Sequence, residues 1–280
     1  MSDSSPSIDT IEQIAKGAGK ILLNYFRQKP KTWNKTPYES ITEADKASEE
    51  FIIREIRRLF PKHSILSEEQ GQVAGDSEHV WIVDPLDGTL KFLLGEPYFC
   101  VSIAYEDHGV LQTGVVFNPC TDDCYTAVRG GGAFRNGQAL RVSTVDDLSK
   151  CVICCDWGGS AEMKAQGLAY LAKFLPPTTR GFGINFSPAL DLCNLAEGSV
   201  AAVISNGTTP EDHAAGSLIA QEAGACLVGL TGQIWSLVCR GILAVNTVQL
   251  QKAIQRLLAS SYEMKSTDDQ LIREGNQIDE

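Results

Sequence analysis

The run Trp81-Ile82-Val83-Asp84-Pro85-Leu86-Asp87-Gly88-Thr89 constrains this chain more than any other stretch. An apolar strand leads directly into two carboxylates three residues apart, followed by the free backbone N–H groups and hydroxyl of Gly88 and Thr89. Pro85 and Gly88 force a turn, so Asp84 and Asp87 can converge at the strand end instead of alternating to opposite faces. Two hard carboxylates and a loop carbonyl suit Mg²⁺, which usually retains several waters and shares substrate phosphate oxygens. A helix starting after Thr89 would add an N-terminus that favours an anion. Taken alone, the run also fits a solvated turn with a capping Asp.

Other acids bear on that choice. Ser67-Glu68-Glu69 follows a predicted strand, and adjacent acids repel unless solvated or bound to cations. Asp45 falls in the first turn of a predicted helix, where a dipole partner is expected. Asp212 follows Pro210-Glu211 at another helix start, in the place of an N-cap. Each has a structural explanation by itself. Together they could give a two-metal centre its carboxylates from several elements.

The chain has 280 residues, 35 acids and 24 bases, for a net charge of −11. That balance argues against binding a nucleic-acid polymer, which needs a basic footprint. An anionic substrate would then need something other than surface charge to attract it. No apolar stretch is long enough to span a membrane, and the polar N-terminus lacks the basic flank of a signal peptide. Nine cysteines without such a signal suggest free thiols in a reducing, cytoplasmic setting. Cys151 to Cys155 reads as a buried strand rather than a zinc site. Gly17-Ala18-Gly19-Lys20 fails as a phosphate loop, because Ile14 and Ile21 replace the required Gly and Ser/Thr. There is no Gly-x-Ser-x-Gly elbow and no dinucleotide fingerprint.

Helical periodicity runs from Ile8 to about Gln28, before Pro30, and again from a capping Thr42 to Pro61. Lys29–Ser40, polar with two prolines, reads as a loop. Strands are predicted at Ser64–Ser67, Val80–Val83, Phe99–Tyr105, Val110–Phe117 and Tyr125–Val128, with a hairpin at His108-Gly109. Beyond residue 150 the texture alternates. Strands at Val152–Cys155, Arg180–Ile184, Ala201–Ser205 and Ile242–Val245 are interleaved with helices at Ala161–Phe174, Pro188–Glu197, Asp212–Ala223 and Gln249–Leu258. The expected organisation is a strand-rich half over 1–146 carrying the Asp84–Thr89 turn, an alternating half over 147–261, and an acidic, frayed tail over 262–280.

At these residues the chain resembles the inositol monophosphatase family, within the lithium-sensitive, magnesium-dependent phosphatases. The likeness covers roughly residues 8–258. Lys35, Ile41-Thr42-Glu43-Ala44-Asp45, Phe60-Pro61, Ser67-Glu68-Glu69 and Trp81–Thr89 occur in family order. So do Gly114–Pro119, Gly132–Gly137, Ala189–Cys193 and Asp212-His213-Ala214-Ala215-Gly216. The resemblance implies an α/β (α+β) fold, a layered α/β/α/β/α sandwich of the kind shared with fructose-bisphosphatase. It also implies hydrolysis of a small phosphorylated metabolite by metal-activated water. Glu68, Asp84, the Leu86 carbonyl, Asp87 and Asp212 would hold two or three Mg²⁺ ions, with Asp84 bridging. Asp45, Glu68 and Thr89 would be catalytic, with Thr89 and Asp45 orienting the water. Gly88 and Thr89 would bind phosphate, Ser187 and Ser205 would lie beside the substrate, and Lys35 and Glu69 would surround the metals. A homodimer is the family habit.

The departures fall on the substrate side. Glu211 replaces a usual Trp, and Lys91 a common Asn. Ser205 stands where inositol-specific members place a Glu, and Phe186-Ser187-Pro188 replaces a smaller Gly-rich pattern. Inositol monophosphate is the first expected substrate. A 3′(2′),5′-bisphosphate nucleotidase is the alternative, followed by a fructose-1,6-bisphosphatase or histidinol phosphatase, or a non-catalytic binding protein on the same fold.

Overall fold

The structure, a computed structural model, describes residues 5–37 and 39–259. The acidic tail over 262–280 lies outside the described residues. In chain order the elements begin with α1 (Ile8–Tyr25), β1 (Thr32–Thr36), β2 (Glu39–Thr42), α2 (Glu43–Leu59), β3 (His63–Ser67), β4 (Gly71–Val73) and β5 (Asp76–Asp87). They continue with α3 (Thr89–Leu94), β6 (Cys100–Asp107), β7 (Val110–Asn118), β8 (Asp123–Val128), β9 (Gly132–Arg135) and β10 (Gln138–Ala139). The second half holds β11 (Val152–Trp157), α4 (Ala161–Lys173), β12 (Gly181–Gly183), α5 (Pro188–Ala196), β13 (Ala202–Asn206), α6 (Pro210–Glu222), β14 (Cys226–Val228) and β15 (Gly241–Val245). A last helix, α7, covers 248–259.

Five layers result. An eight-stranded sheet runs β10-β9-β8-β7-β6-β5-β3-β4, antiparallel except where β3 and β5 lie parallel. A five-stranded sheet runs β12-β11-β13-β15-β14, with β11 parallel to both neighbours. Side-chain alternation along each strand divides four apolar cores between the layers. Trp81, Val83, Val101, Ile103, Val115 and Phe117 face α1 and α2. From the same strands, Ile82, Cys100, Ala104 and Val116 face α5 and α6. In the second sheet Cys154, Val203, Ile242 and Ala244 meet α5 and α6, while Ile153, Ile204, Leu243 and Val245 meet α4 and α7. The expected α/β/α/β/α sandwich is therefore the observed architecture. Cys151, Cys154 and Cys155 are buried free thiols in these cores. Among the described residues no helix is long and apolar enough to cross a membrane.

Two local expectations change. α1 ends at Tyr25, short of Gln28, because Arg27 turns to φ 63° and its guanidinium donates to the Gly95 carbonyl at 3.2 and 3.3 Å. The segment read as a loop contains the β1–β2 hairpin. β1 is exposed along its whole length, so no apolar alternation marks it, and the backbone ladder from Thr32↔Thr42 to Thr36↔Glu39 holds it.

Across the middle of the sandwich, Asp191 of α5 accepts hydrogen bonds from Tyr98 of the first half (2.6 Å) and Asn185 of the second (2.7 Å). Its other oxygen is buried without a partner. Burial outweighs these hydrogen bonds and pushes its pKa up to about 6. A carboxyl raised in the folded state keeps its proton longer than in the unfolded chain. Its stabilising contribution is therefore full below about pH 4 and lost as pH rises through 6, a change of roughly 3 kcal/mol. Asp191→Asn is expected to flatten the fall in unfolding free energy between pH 4 and 7, measured by urea titration at several pH values. An unchanged slope would refute this assignment.

Candidate active site

β3 and β5 run side by side in the same direction, with Ser67 opposite Val83, so their C-terminal ends open at one edge. Glu68 leaves β3 there and ties its N–H to the Val83 carbonyl at 3.1 Å. Along β5, residues three apart should point to opposite faces. The β5–β6 ladder instead pairs Asp84 with Ser102 and Asp87 with Cys100, three steps against two. This bulge absorbs the odd residue and lets both aspartates serve one side. The turn then needs Gly88, which has φ 88° and where a Cβ would lie 2.8 Å from the Tyr98 carbonyl oxygen.

Two more acids arrive on helix starts. Thr42 caps α2, and Asp45 at the third helical position accepts the Thr42 N–H (2.8 Å) and hydroxyl. α6 repeats the device. Its cap is Thr209, and Asp212 accepts the Thr209 N–H at 2.6 Å and hydroxyl at 3.1 Å. Asp212 is thus not the N-cap but the acid that closes a capping box. The Thr89 hydroxyl lies within hydrogen-bond distance of the Leu86 carbonyl (3.0 Å) and of Asp45 (3.2 Å), linking α3 to α2. Ser48 of α2 fixes the turn by donating to the Pro85 carbonyl at 2.8 Å.

These groups meet at a cavity of about 430 Å³ lined by Lys35, Glu68, Asp84, Leu86, Asp87, Gly88, Thr89 and Asp212. Asp45 is fully buried behind Thr89. Burial, with Glu68, Asp87 and Asp212 adding like charge, raises the Asp84 pKa well above its usual value. Burial raises Asp87 also, opposed by the Ser187 hydroxyl and reinforced by Asp212. Burial lifts Asp212 to about 7, Asp45 to about 6 and Glu69 to about 7. Burial alone would lower Lys35, but Glu68 and Glu69 at 2.9 and 3.0 Å raise it.

Each acid is turned onto a partner within the chain. Glu68 faces Lys35, Asp212 faces Thr209, Asp84 accepts the Leu86 N–H at 2.9 Å, and Asp87 accepts the Ser187 hydroxyl and the Ala189 N–H. Among the described residues no three His, Cys, Asp or Glu side chains stand close enough to ligate one ion in these positions. The donor set itself, hard carboxylate oxygens and one carbonyl, fits Mg²⁺. So does the field, because buried carboxylates that raise one another's pKa gain from a cation between them.

Ser187 and Ser205, expected beside the substrate, are both buried and neither lines the cavity. The Ser187 hydroxyl is spent on Asp87, and that of Ser205 has no partner. Lys91 pairs with Glu96 at 2.6 Å instead of entering the cavity. Glu211 does line it, with one carboxylate oxygen buried and unpartnered.

Sequence reading missed three contributors. Buried Glu49, one turn after Asp45 on the same helix, accepts from the Ser67 hydroxyl and from the N–H groups of Glu69 (3.2 Å) and Gln70 (3.0 Å), so it shapes the Glu68 turn. The i to i+4 spacing from Asp45 was its only signal. Asp156 and Trp157 end β11 and line the cavity, where nothing but their place at a strand terminus marked them.

Against known proteins, the family model described as "Inositol monophosphatase family" matches residues 3–265. The chain is 36% identical over 268 residues to an inositol-1-monophosphatase of Mesorhizobium japonicum, covering 91% of this chain and 98% of that one. It is 36% identical over 231 residues to the Nus factor SuhB of Pasteurella multocida, covering 81% and 86%. Among solved structures it is similar to the extragenic suppressor protein suhB from Bartonella henselae, with TM-score 0.84 and 33% identity over 89% of this chain and 97% of that chain. It is also similar to an inositol monophosphatase from Anabaena, with TM-score 0.78 and 32% identity over 90% and 95%.

If the acids repel one another when no cation is bound, removing one charge must relieve the fold. Asp84→Asn, which keeps the acceptor for Leu86, is expected to stabilise the protein in EDTA by about 1 kcal/mol or more in a denaturant titration. Equal or lower stability would contradict a repulsive cage.

Proposed function

The chain belongs to the inositol monophosphatase family, and we propose that it is a magnesium-dependent phosphomonoesterase acting on a small phosphorylated metabolite. One observation carries this reading: Glu68 just past β3, Asp84 and Asp87 of β5 and Asp212 of α6 share a single cavity with the Gly88-Thr89 turn. Glu68, Asp84, the Leu86 carbonyl, Asp87 and Asp212 would hold the metal. Bound Mg²⁺ supplies positive charge against the phosphate and makes water more acidic.

The chain's own groups do the rest. Gly88 and Thr89, at the start of α3, would offer backbone N–H groups to phosphate oxygens. The Thr89 hydroxyl lies within hydrogen-bond distance of Asp45 and of the Leu86 carbonyl, and with its single proton directed to Asp45 its lone pairs are left to accept a hydrogen bond from the attacking water. A proton taken by Thr89 can pass to Asp45 along the existing hydrogen bond. Lys35 bridges Glu68 and Glu69 and so sets the position of the Glu68 carboxylate.

The name of the Mesorhizobium relative favours inositol monophosphate as the substrate. Other relatives bear the name Nus factor SuhB, which names no substrate. The complete acid set supports catalysis, because a pure binding surface has no use for a buried repulsive cluster. The reading includes a homodimer in the cytoplasm, and the nine unpaired cysteines suit that compartment.

Phosphate release from a panel of monoesters is expected with Mg²⁺ and not with excess EDTA. Thr89→Ala should lower kcat by about a hundredfold or more, and Thr89→Ser should restore most of it. Turnover that survives EDTA, or a panel with no turnover at all, would reject this function.

A further inference from the structure

The cavity that gathers the acids also presents two aromatic residues. Trp157, the last residue of β11, and Phe186, just before α5, both line it. Their centroids are 6.4 Å apart and their planes cross at 85°, forming an aromatic corner. Phe186 holds φ at 57°, a left-handed conformation that bulky residues rarely take. Its neighbours impose it. Asn185 is tied to Asp191 at 2.7 Å and to the Cys154 sulfur at 3.4 Å, and the Ser187 hydroxyl is tied to Asp87. Backbone strain of this kind persists where surroundings over-determine it, and it clusters at ligand sites. Here it delivers a phenyl ring to the cavity. Beside the corner, Asp156 lines the same cavity and accepts the Trp157 backbone N–H at 2.8 Å, and it makes no other hydrogen bond among the described residues.

Resting on the phosphomonoesterase reading, we infer that the ester's alcohol is a flat aromatic or heteroaromatic group that Trp157 and Phe186 hold by ring contact and that offers a hydrogen-bond donor to Asp156. The two rings give a polyol's hydroxyls nothing to pair with and so favour a flat group, while Asp156, Thr208 and Glu211 supply the polar partners of the same cavity. The cavity is large enough for such a group together with its phosphate. Ser205 lies buried outside the cavity and cannot contribute a sugar-hydroxyl contact.

The test is calorimetric binding in Mg²⁺ buffer, paired with phosphate release, for benzyl phosphate and adenosine 5′-monophosphate against inositol 1-phosphate and glycerol 1-phosphate. The aromatic esters are expected to bind about tenfold or more tightly than the polyol esters. Trp157→Ala and Phe186→Gly should each bring the ratio of aromatic to polyol affinity down towards one. Glycine accepts the Phe186 backbone conformation without strain, so that variant is expected to fold. Equal or tighter binding of inositol 1-phosphate, or a preference that survives both substitutions, would overturn the inference, as would failure of every ester to bind. Aromatic preference without turnover would reject hydrolysis while sustaining the aromatic subsite.

Discussion

The layer made by α5 and α6 has to satisfy two sheets at once. Both helices bury residues around their whole circumference, Leu190, Leu192 and Leu195 on one, Ala214, Ala215, Leu218 and Ile219 on the other. Such helices need small residues wherever a strand comes close. At Gly114 of β7 a Cβ would sit 2.8 Å from the Ala215 carbonyl oxygen, so sheet and helix approach to backbone contact. That closeness positions the site. It brings the start of α6, with Asp212, and the start of α5, with Ser187 and the Ala189 N–H, to the end of β5 where Asp84 and Asp87 emerge.

The same geometry concentrates like charge. Carboxylates gathered at strand ends and helix starts are partly supported by helix dipoles and capping hydrogen bonds, yet burial still raises the pKa values of Asp84, Asp87 and Asp212. Lys35 is the only cation among the described residues to form an ion pair with Glu68 and Glu69. This arrangement resolves the paradox of a chain with net charge −11 that would bind an anion. Divalent cations placed among these acids would invert the local field.

Much of this was legible in the sequence because local rules and tertiary demands agree there. The Thr42 cap, the Pro61 stop and the His108-Gly109 hairpin follow from backbone chemistry alone, and the Asp84–Thr89 turn announces itself by Pro and Gly. What stayed hidden depends on partners far along the chain. The β1–β2 hairpin has no apolar pattern because it buries little. Two short strands, β4 and β14, are three residues each, too brief for alternation to register. The bulge that brings Asp84 and Asp87 to one side exists only in relation to β6. The role of Glu49 comes from hydrogen bonds to a turn twenty residues away, and the aromatic corner joins residues 157 and 186 through tertiary packing.

Whether the buried acids form a cation-binding cage is read from thermal unfolding as a function of Mg²⁺ concentration. A native state that binds the ion and an unfolded chain that does not must show a midpoint rising steadily with Mg²⁺. The wild-type protein should show that rise, and the Asp84→Asn variant should show little of it. A midpoint indifferent to millimolar Mg²⁺, or an equal rise in both proteins, would contradict the account.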